Sequence, residues 1–339
     1  MVAKWYHLSQ TPVSGYSKQV RKVAVILFPQ KVDQKRLRTL VDKELARTAE
    51  TNPTTLLWLP TSNTKTSQGR AWEAVKKGAS LIIVVGGDGT ARGVFEVVQG
   101  TDVEVALIPV GTGNVLARNL GIPLNSLPRS VQLAFRGTAR QIDLGIATLS
   151  YSDGRPKQQH VFAVMAGLGL PAKIMMNANT ELKRRFGWVA YIDAGMRAIP
   201  LHYDTLDVSV NGRASQAVHV VALLVGNCGF LPGPITLMQD AKLDDGILDL
   251  AAVGPRRWWN WIDFWNRVTW ISQLVKRVRA WRQIMDDTAD VRTMENLSGR
   301  QVEVWAEHAV AAQLDGDPFG MVSSAKFEAL PKALKIRCP

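Results

Sequence analysis

The chain has 339 residues, of which 46% are hydrophobic and 21% are charged, a composition typical of globular domains and unlike that of large disordered regions. Its two cysteines, Cys228 and Cys338, lie far apart in no metal-ligand spacing, so the sequence indicates neither a disulfide framework nor a zinc site. The 41 Lys and Arg residues outnumber the 29 Asp and Glu residues, and the net charge of +12 favours polyanionic partners such as nucleic acid, anionic membrane or phosphorylated ligands.

The sequence carries no signal for export or for a membrane-spanning segment. Its first twenty residues are mostly polar and lack the apolar core of a signal peptide. The longest apolar runs, at 81–85 and 220–225, are far shorter than the roughly 20 residues that cross a bilayer, and they are typical of buried strands. We therefore expect a cytoplasmic protein.

The first part of the chain alternates predicted strands and helices. Strands are predicted at 22–28, 55–59, 81–85 and 104–108, and helices at 34–47, 69–77, 91–98 and 115–120. This alternation implies crossover connections between the strands and therefore a mostly parallel sheet. We expect an N-terminal α/β domain over residues 1–140.

Beyond residue 141 the predicted elements are almost all strands. They span 142–150, 160–165, 206–210, 218–226, 247–253, 302–305 and 309–314. Most of the connections are turn-like, a pattern that indicates antiparallel sheet. The predicted fold class is therefore α/β, with an N-terminal mostly parallel α/β domain and, over residues 141–324, a C-terminal β-rich, sandwich-like domain.

A glycine-rich turn, residues 86–90 (GGDGT), lies between the third predicted strand and the helix that follows it. Its three glycines can take positive φ and let backbone N–H groups approach phosphate oxygens, while the N-terminus of the helix adds positive potential. Asp88 would then lie beside the phosphates, where a carboxylate is best explained as a ligand of Mg²⁺. Taken alone, such a cluster is more simply an ordinary tight turn.

A second turn of the same kind, residues 111–114 (GTGN), follows the fourth predicted strand and precedes a predicted helix. Because the carboxyl ends of neighbouring parallel strands open on one edge of a sheet, the two turns are expected to converge on one crevice. Open α/β sheets usually bind their ligands in such a crevice. The pair of turns therefore predicts a phosphate-binding site.

These two turns carry a resemblance to a known family. Residues 86–90 (GGDGT) and 111–118 (GTGNVLAR) are similar to motifs of the diacylglycerol kinase catalytic domain family, which includes sphingosine kinases. The first motif also resembles those of NAD kinases and phosphofructokinases, whereas the second is much more specific to the lipid kinases. Further matches follow in family order at 142–145 (IDLG), 240–249 (DAKLDDGILD) and 313–317 (QLDGD).

The resemblance implies a lipid kinase that transfers the γ-phosphate of ATP to the hydroxyl of a diacylglycerol-like or sphingoid-like lipid, with Mg²⁺ as cofactor. It implies a nucleotide-binding N-terminal domain, a lipid-binding C-terminal domain, and a last strand within residues 325–339 that returns to the first domain. The implied nucleotide contacts are Gly86, Gly87, Asp88, Gly89, Thr90, Gly111, Thr112, Gly113, Asn114 and Thr66. The implied metal ligands are Asp88, Asp244 and Asp245.

The resemblance also implies two catalytic residues, Asp315 and Asp88. Asp315 matches the acidic residue proposed to take the proton from the lipid hydroxyl, a role that requires hydrogen-bond reach of that proton. Without the family, Asp315 followed by glycine is a strong signal for an ordinary β-hairpin turn. Because phosphoryl transfer has a loose transition state, glycine backbone, Asp88 and Mg²⁺ are expected to hold the phosphate and to neutralise its charge.

Four positions depart from the family pattern. The first strand ends in Phe28 where the family has Asn-Pro and a serine-glycine turn, and Val115 stands where many members have aspartate. Pro171 replaces an acidic residue, and Asp317 stands for the usual glutamate. These departures leave the kinase interpretation in place and leave the identity of the acceptor lipid open.

A tryptophan-rich stretch at 256–282 holds six of the chain's 11 tryptophans among several Lys and Arg residues. Read as a helix, it is amphipathic, with Trp258, Trp259 and Trp270 off the apolar stripe. Tryptophan favours the bilayer interface and arginine favours anionic headgroups, so one interpretation is a membrane-docking element. Packing of the stripe against the sheet of the second domain is an equally supported interpretation.

The expected partners are a lipid substrate and an anionic membrane surface that the protein binds peripherally, with no nucleic acid and with a homodimer left open. Two alternatives stand beside the lipid kinase. One is an NAD kinase-like phosphotransferase of the same superfamily, and the other is a catalytically silent protein that binds lipid or nucleic acid. The second glycine turn and the Asp315 motif favour the lipid kinase over an NAD kinase.

Overall fold

In the computed structural model of the chain, the described residues are 20–48, 53–176, 203–229, 238, 241–253 and 297–339. Their strands form one hydrogen-bonded sheet that runs through the N-terminal and C-terminal regions. No helix within these ranges is long and apolar enough to span a bilayer. The tryptophan-rich stretch at 256–282 lies outside the described residues, so both interpretations of it stay predictions.

The N-terminal region is a parallel sheet with helices on both faces. Four strands pair in parallel in the spatial order β4-β3-β1-β2, with the bounds β1 (Arg21–Leu27), β2 (Thr54–Pro60), β3 (Leu81–Gly86) and β4 (Glu104–Pro109). The helices of the region are α1 (Gln34–Thr48), α2 (Ser67–Lys76), α3 (Asp88–Val98), α4 (Val115–Asn119) and α5 (Leu127–Arg136).

Alternate residues of these strands enter two separate hydrophobic cores. On β1, Ala24 and Ile26 pack in the core that contains residues of α2, α3 and α4, whereas Val23 and Val25 pack in the core that contains residues of α1 and α5. The strands are therefore buried on both faces, as expected for a parallel sheet between two layers of helices. Ligands of such sheets bind at the carboxyl ends of the strands.

The C-terminal region consists mainly of antiparallel strands around a core of its own. Its elements are β5 (Thr138–Tyr151), β6 (Gln158–Phe162), β7 (Met165–Gly169), α6 (Leu170–Met176), β8 (Asp204–Val210), β9 (Gln216–Val220), β10 (Ala222–Gly226), β11 (Leu248–Val253), β12 (Ser298–Gly299), β13 (Gln301–Leu314) and β14 (Asp317–Cys338). Phe162, Leu168, Leu223 and Phe327 are among the buried residues of this core. The predicted fold class is thereby confirmed, whereas the predicted domain boundary stays a prediction.

Strand β14 joins the two regions. Along its 22 residues it pairs antiparallel with β13 and β5, and near its end it pairs in parallel with β4, where Lys335 lies opposite Glu104. At Lys332 the backbone enters the left-handed region, with φ of 53°. Asp143 holds this bend, because its Oδ1 accepts the N–H of Lys332 at 2.7 Å while its Oδ2 accepts that of Gly246 at 2.6 Å.

Two predicted strands are each divided in the structure. The predicted strand at 160–165 is divided into β6 and β7. Ala163 and Val164 lie between these two strands, and their N–H groups donate to the Asp315 carboxylate instead of to a neighbouring strand. The predicted strand at 218–226 becomes β9 and β10. The first of these breaks shapes the site described below.

Other elements also differ from their prediction. The predicted strands at 302–305 and 309–314 are one strand, β13, with a register irregularity between Trp305 and Val310. Helix α3 begins at Asp88, earlier than predicted, so the first glycine turn runs directly into the helix. Helices α5 and α6 and strand β12 are absent from the predicted elements.

Candidate active site

The two glycine-rich turns lie side by side at the carboxyl ends of β3 and β4. These strands pair in parallel with Gly86 opposite Pro109, so the residues that follow each strand leave the sheet at the same edge. The backbones of the turns are in contact, since a Cβ atom on Gly111 would lie 2.6 Å from the Cα of Gly87. No side chain fits at that distance, so the convergence depends on the glycine at position 111.

The glycines of the first turn do not adopt positive φ, and this part of the sequence prediction is wrong. Gly87 has φ of −103°, and Gly89 lies within α3. Their missing side chains matter for packing instead: a Cβ on Gly86 would lie 2.6 Å from the Cβ of Thr90, and a Cβ on Gly89 would lie 2.9 Å from Asp317 Oδ2. Close approach of neighbouring groups therefore accounts for these glycines.

Asp88, the first residue of α3, links the two turns. Its Oδ1 accepts a hydrogen bond of 3.4 Å from the backbone N–H of Leu116 in the first turn of α4. Desolvation raises the pKa of the Asp88 carboxyl, and the N–H groups of Leu116, Val115 and Asn114 oppose that rise. The carboxylate thus lies at the start of two helices, where the helix dipoles favour negative charge.

Asn114 closes the second turn on itself. Its backbone is left-handed, with φ of 46°, and its buried side chain accepts the N–H of Gly111 at 3.1 Å and donates to the carbonyl oxygen of Gly111 at 2.6 Å. Arg118 Nε donates to the carbonyl oxygen of Gly113 at 2.9 Å. The side chain of Asn114 is thus occupied in shaping the turn, and Thr112 is the exposed residue at its tip.

A small crevice between the turns contains part of the predicted nucleotide site. Its lining residues are Val84, Gly86, Gly87, Asp88, Ala91, Leu107, Pro109, Asn114 and Ala117. Of the other predicted contacts, Gly111 touches Gly87, Thr112 and Gly113 complete the second turn, and Gly89 and Thr90 lie in the first turn of α3. The structure therefore brings nine of the ten predicted nucleotide contacts, all except Thr66, to one edge of the sheet. Their binding role stays a prediction.

Thr66 lies at the N-terminus of α2. Its Oγ1 caps this helix by accepting the N–H of Gly69 at 3.1 Å, and the residue is exposed. The next residue, Ser67, lies against Gly93 of α3. The hydroxyl of Thr66 is therefore engaged as a helix cap next to α3, and its predicted contact with the nucleotide stays a prediction.

Val115 and Phe28, two of the positions that depart from the family pattern, do not line the crevice. Val115 is 1% exposed and packs in the same core as α3, so a carboxylate in its place would be desolvated. Phe28 precedes a short 3₁₀ turn (Pro29–Lys31), and its N–H donates to the carbonyl oxygen of Val85 at 3.0 Å. Pro171 lies in α6.

Asp315 lies in a two-residue hairpin turn between β13 and β14. Both turn residues have positive φ, 49° for Asp315 and 85° for Gly316, as in a type I′ turn. The buried carboxylate accepts three backbone N–H groups, with Oδ2 bonded to Ala163 at 2.8 Å and Oδ1 bonded to Val164 at 2.9 Å and Met165 at 3.0 Å. The hairpin turn thus holds the carboxylate in one orientation, so the hairpin and catalytic interpretations are compatible.

The environment of Asp315 suits a general base. Burial raises the pKa of Asp315 to about 6, against the opposing effects of its three N–H donors and of the Arg92 charge. Such a carboxyl is ionised at neutral pH and is more basic than an ordinary one. Burial, followed by the charges of Asp315 and Asp88, raises the pKa of the Cys228 thiol. Asp317, two residues beyond Asp315, lies against Gly89, since its Oδ2 is 2.9 Å from the position that a Cβ on Gly89 would occupy, so the hairpin turn and the first glycine turn are neighbours.

Asp244 and Asp245 lie in the segment that precedes β11. Asp244 forms an ion pair of 2.6 Å with Arg140, and Asp245 Oδ1 accepts the N–H of Ile247 at 3.1 Å. Both aspartates are exposed. Among the described residues, no three or more His, Cys, Asp or Glu side chains are grouped so that they hold a metal ion. The structure therefore does not bring the three predicted metal ligands together, and only Asp88 lines the crevice.

A group of residues joins α3 to the hairpin, and apart from Asp317 none of them belongs to a predicted site or motif. Arg92 of α3 contacts Asp317 Oδ2 at 3.1 Å and Glu96 Oε1 at 3.3 Å, and its guanidinium lies 4.9 Å from the ring centroid of Phe319. His160 Nδ1 lies 3.4 Å from the same oxygen of Glu96. Arg92 and Asp317 are 225 positions apart in the chain, so no local sequence signal identifies the pair.

Asn227 was also missed, and it supports Asp315 indirectly. Its buried Nδ2 donates to the carbonyl oxygens of Asp143 at 3.0 Å and Ala163 at 3.1 Å, and its backbone N–H donates to that of Val164 at 2.8 Å. Asn227 thereby fixes the segment whose N–H groups bind the Asp315 carboxylate. The family match at 142–145 (IDLG) includes one of these partners, Asp143, and is therefore a sequence signal that points to this network.

Comparison with known proteins gives two family matches that cover most of the chain. The model described as the diacylglycerol kinase catalytic domain matches residues 22–147. The model described as the YegS C-terminal NAD kinase beta sandwich-like domain matches residues 163–338. The glycine turns lie in the first match and Asp315 lies in the second.

Individual relatives agree with these matches. A protein of Pseudomonas putida named "Probable lipid kinase YegS-like" is 27% identical over 274 residues, which cover 79% of this chain and 80% of that protein. A protein of Bacillus subtilis named "Diacylglycerol kinase" is 32% identical over 192 residues, which cover 55% of this chain and 60% of that protein.

Two solved structures share the fold. A diacylglycerol kinase from Bacillus anthracis superposes with a TM-score of 0.68 at 20% identity, over 95% of this chain and 98% of that one. Yeast NADH kinase superposes with a TM-score of 0.50 at 11% identity, over 97% of this chain and 88% of that one. At these identities the likeness establishes the fold alone.

Proposed function

Since this chain belongs to the diacylglycerol kinase family of lipid kinases, we propose that it transfers the γ-phosphate of ATP to a lipid hydroxyl, with Mg²⁺ as cofactor. The observation that carries the proposal is the pairing of two unlike groups at one site. Two glycine turns in backbone contact suit phosphate, and the buried carboxylate of Asp315, with a pKa of about 6, suits a hydroxyl proton. The hairpin that carries Asp315 lies against the first glycine turn, where Asp317 Oδ2 is 2.9 Å from the position that a Cβ on Gly89 would occupy.

At the phosphate end, backbone groups do most of the binding. The first N–H groups of α3, on Gly89 and Thr90, have no intrahelical acceptor, and the helix dipole favours an anion there. The glycine at position 111 lets the second turn approach closely enough to contact the same phosphates. Because phosphoryl transfer needs positioning more than covalent chemistry, such a rigid cradle supplies a large part of the catalysis.

Asp88 fits a magnesium ion that arrives with the nucleotide. Mg²⁺ prefers hard oxygen ligands and is usually held by one or two carboxylates together with substrate phosphates and water, not by an all-protein cage. A single carboxylate beside the phosphate turns agrees with that mode, as does the absence of an acidic cluster among the described residues. When bound, Mg²⁺ neutralises charge on the phosphate oxygens.

Asp315 acts as the general base in this proposal. Its carboxylate takes the proton of the lipid hydroxyl while the hydroxyl oxygen forms a bond to the γ-phosphorus, and the bond from that phosphorus to the leaving oxygen of ADP breaks. With a pKa of about 6, roughly nine tenths of the carboxyl is ionised at pH 7. The base is therefore present in its active form at neutral pH.

The acceptor in this proposal is a diacylglycerol-like or sphingoid-like lipid, and the protein reaches it by peripheral binding to an anionic membrane surface. The net charge of +12 supports such binding, because basic residues near an anionic bilayer are attracted to it. A lipid substrate resides in the membrane, so the active site must approach the bilayer for each turnover.

Incubation with γ-labelled ATP, Mg²⁺ and a total lipid extract, followed by identification of labelled lipids, tests the proposal. We expect label in one lipid class with the wild-type protein and essentially none with Asp315→Asn or after chelation of Mg²⁺. A parallel reaction with NAD as acceptor separates the lipid kinase from an NAD kinase. Label in NAD, or label in no acceptor, would contradict the proposal.

A further inference from the structure

Arg92 lies where the phosphate-binding helix α3 meets the hairpin that carries Asp315. We propose that Arg92 is a positioning residue for the proposed reaction: by bridging Asp317 and Glu96, it sets the separation between the start of α3 and the Asp315 carboxylate. The inference rests on the proposed function and adds to it a residue of the N-terminal region that controls the base of the C-terminal region.

The hairpin lies directly on the first turn of α3. Asp317 follows Asp315 by two residues, and its Oδ2 is 2.9 Å from the position that a Cβ on Gly89 would occupy. The same oxygen accepts from Arg92 Nη2 at 3.1 Å. A single carboxylate therefore lies against α3 at its beginning and again one turn later.

Strand β6 also holds Arg92 in place, through Glu96. Its Nη1 contacts Glu96 Oε1 at 3.3 Å, and that oxygen also accepts the backbone N–H of Val161 in β6 at 3.1 Å. The ring of His160, also of β6, packs on the ring of Phe319 of β14 with 4.5 Å between the centroids. The Arg92 guanidinium lies over the same Phe319 ring. Movement of the hairpin relative to α3 would therefore break contacts to two strands at once.

The shape of arginine suits this position better than lysine. The planar guanidinium presents its two terminal nitrogens to two different carboxylates while one face lies on an aromatic ring, an arrangement that a single ammonium cannot reproduce. The side chains of Arg92 and Glu96 are only 15% and 11% exposed, so their ion pair is poorly screened by solvent. The positive charge also favours the ionised form of Asp315.

One feature of Arg92 argues against a role in stability alone. Its Nε is buried and has no hydrogen-bond partner among the described residues. A buried donor without a partner is destabilising, and such violations are concentrated at functional sites. The position of Arg92 is better explained by what it holds, namely the hairpin over the phosphate-binding helix.

The test compares Arg92→Gln, Asp317→Asn and the double variant with a matched control, Arg136→Gln. Arg136 also pairs with a buried carboxylate, Glu44, at 2.9 Å, but between α1 and α5 and away from the hairpin. For each protein, kcat and KM for ATP are measured in the lipid kinase assay, and hydrogen exchange is measured at the amides of Asp315 and Gly316. Arg92→Lys is included because it keeps the positive charge but lacks the two terminal nitrogens of the guanidinium.

Loss of the bridge is expected to displace the base without disturbing the nucleotide. We expect Arg92→Gln to lower kcat about tenfold to a hundredfold, since a displacement of about 1 Å has effects of that size, and to leave KM for ATP within about twofold. Arg92→Lys should recover part of the lost kcat. The double variant should be no worse than the poorer single variant, because both substitutions break the same contact.

Hydrogen exchange gives a result that does not depend on activity. In Arg92→Gln the amides of Asp315 and Gly316 should exchange faster by about tenfold, and in Arg136→Gln they should exchange at the wild-type rate. If Arg92→Gln fails to fold, Arg92→Lys carries the same measurements. Unchanged kcat and unchanged exchange, or losses that multiply in the double variant, would overturn the inference.

The failure of the proposed function would look different. If the wild-type protein phosphorylates no lipid, the proposed function is wrong, and hydrogen exchange alone decides the role of Arg92. Faster exchange in Arg92→Gln and not in the control would then support the bridge between α3 and the hairpin, and equal exchange would overturn it. If lipid is phosphorylated while Arg92→Gln behaves as the control does, only the inference about Arg92 fails.

Discussion

The two ends of the candidate site are built in opposite ways. The phosphate end consists mainly of backbone groups in two short turns. The residues of each turn are adjacent in sequence, and the glycines let the two backbones touch where side chains would keep them apart. The base end is one buried carboxylate, Asp315, held by N–H groups of residues about 150 positions away. The first end is therefore specified locally, and the second by tertiary packing.

The two ends therefore respond differently to substitution. A substitution of one of the turn glycines acts by steric exclusion and disturbs the backbone itself. A substitution at Asp315 leaves the fold largely in place and changes the chemistry. Variants should therefore separate into glycine substitutions, which reduce stability together with activity, and carboxylate substitutions, which reduce activity with at most a modest loss of stability.

The largest effect on activity is expected from Asp315→Asn. Removal of a general base lowers turnover by about 10²-fold to 10⁴-fold, whereas ATP contacts the other end of the site. We therefore expect kcat to fall by that amount and the ATP dissociation constant to stay within about twofold of wild type. Steady-state kinetics and nucleotide titration measure the two quantities.

Asp153→Asn is a suitable control for this experiment, because Asp153 is an exposed turn residue whose carboxylate pairs with nearby Arg155. The amide at position 315 cannot accept from all three N–H groups, so a modest loss of thermal stability should accompany the loss of turnover. Retained lipid phosphorylation by Asp315→Asn would remove Asp315 from the role of base.

The next largest effect is expected from Gly111→Ala. Its new Cβ would lie 2.6 Å from the Cα of Gly87, so the two turns must separate. We expect activity to fall about a hundredfold and the free energy of unfolding to fall by about 1–3 kcal/mol, the usual range for overpacking. Gly69→Ala is the control, because its Cβ would meet only Thr66 Oγ1, at 3.5 Å. Equal melting temperatures for the two variants would contradict the packing explanation.

Asp88→Asn should have a smaller effect that is confined to activity. The amide keeps an oxygen that accepts the N–H of Leu116, so the connection between the turns survives. The charge that faces the proposed Mg²⁺ is lost, and we expect turnover to fall about tenfold to a hundredfold with little change in melting temperature. Near-normal turnover at saturating Mg²⁺ would exclude Asp88 as a metal ligand.

The smallest effect on chemistry is expected from changing Trp258, Trp259 and Trp270 together to serine. If the tryptophan-rich stretch docks on membranes, sedimentation with anionic liposomes should weaken, and binding should fall steeply with salt, since each basic residue contributes about 1 kcal/mol within a Debye length. Activity on detergent-dispersed lipid should be unchanged. Unfolding of the triple variant would favour the packing interpretation, and unchanged liposome binding would exclude the stretch as the membrane contact.

The phosphate end could be predicted from sequence because its signals are local. Apolar strands, glycine turns and the following helices appear in order, and β3, α3, β4 and α4 were predicted within a few residues of their bounds. The expected positive φ was wrong, because sequence does not distinguish a glycine needed for backbone conformation from one needed for close packing. Helix α5 was overlooked although Ser126 and Pro128 mark its start.

The base end could be predicted only through the family resemblance. A hairpin at Asp315 follows from the Asp-Gly pair, but its raised pKa depends on burial by residues distant in sequence. The same holds for β14, of whose 22 residues only the last part was predicted, since its pairing partners lie in both regions. The Arg92–Asp317 contact has no local signal at all.

The pH dependence of kcat tests the central claim, that Asp315 is the base opposite the glycine turns. The ionised carboxylate is the active form, and burial raises its pKa to about 6, so kcat at saturating ATP and lipid should be lost as the pH falls through about 6. Below that point we expect a decline of about tenfold per pH unit. A decline that begins only near pH 4, where an ordinary aspartate titrates at about 3.9, would contradict the claim, as would a flat profile.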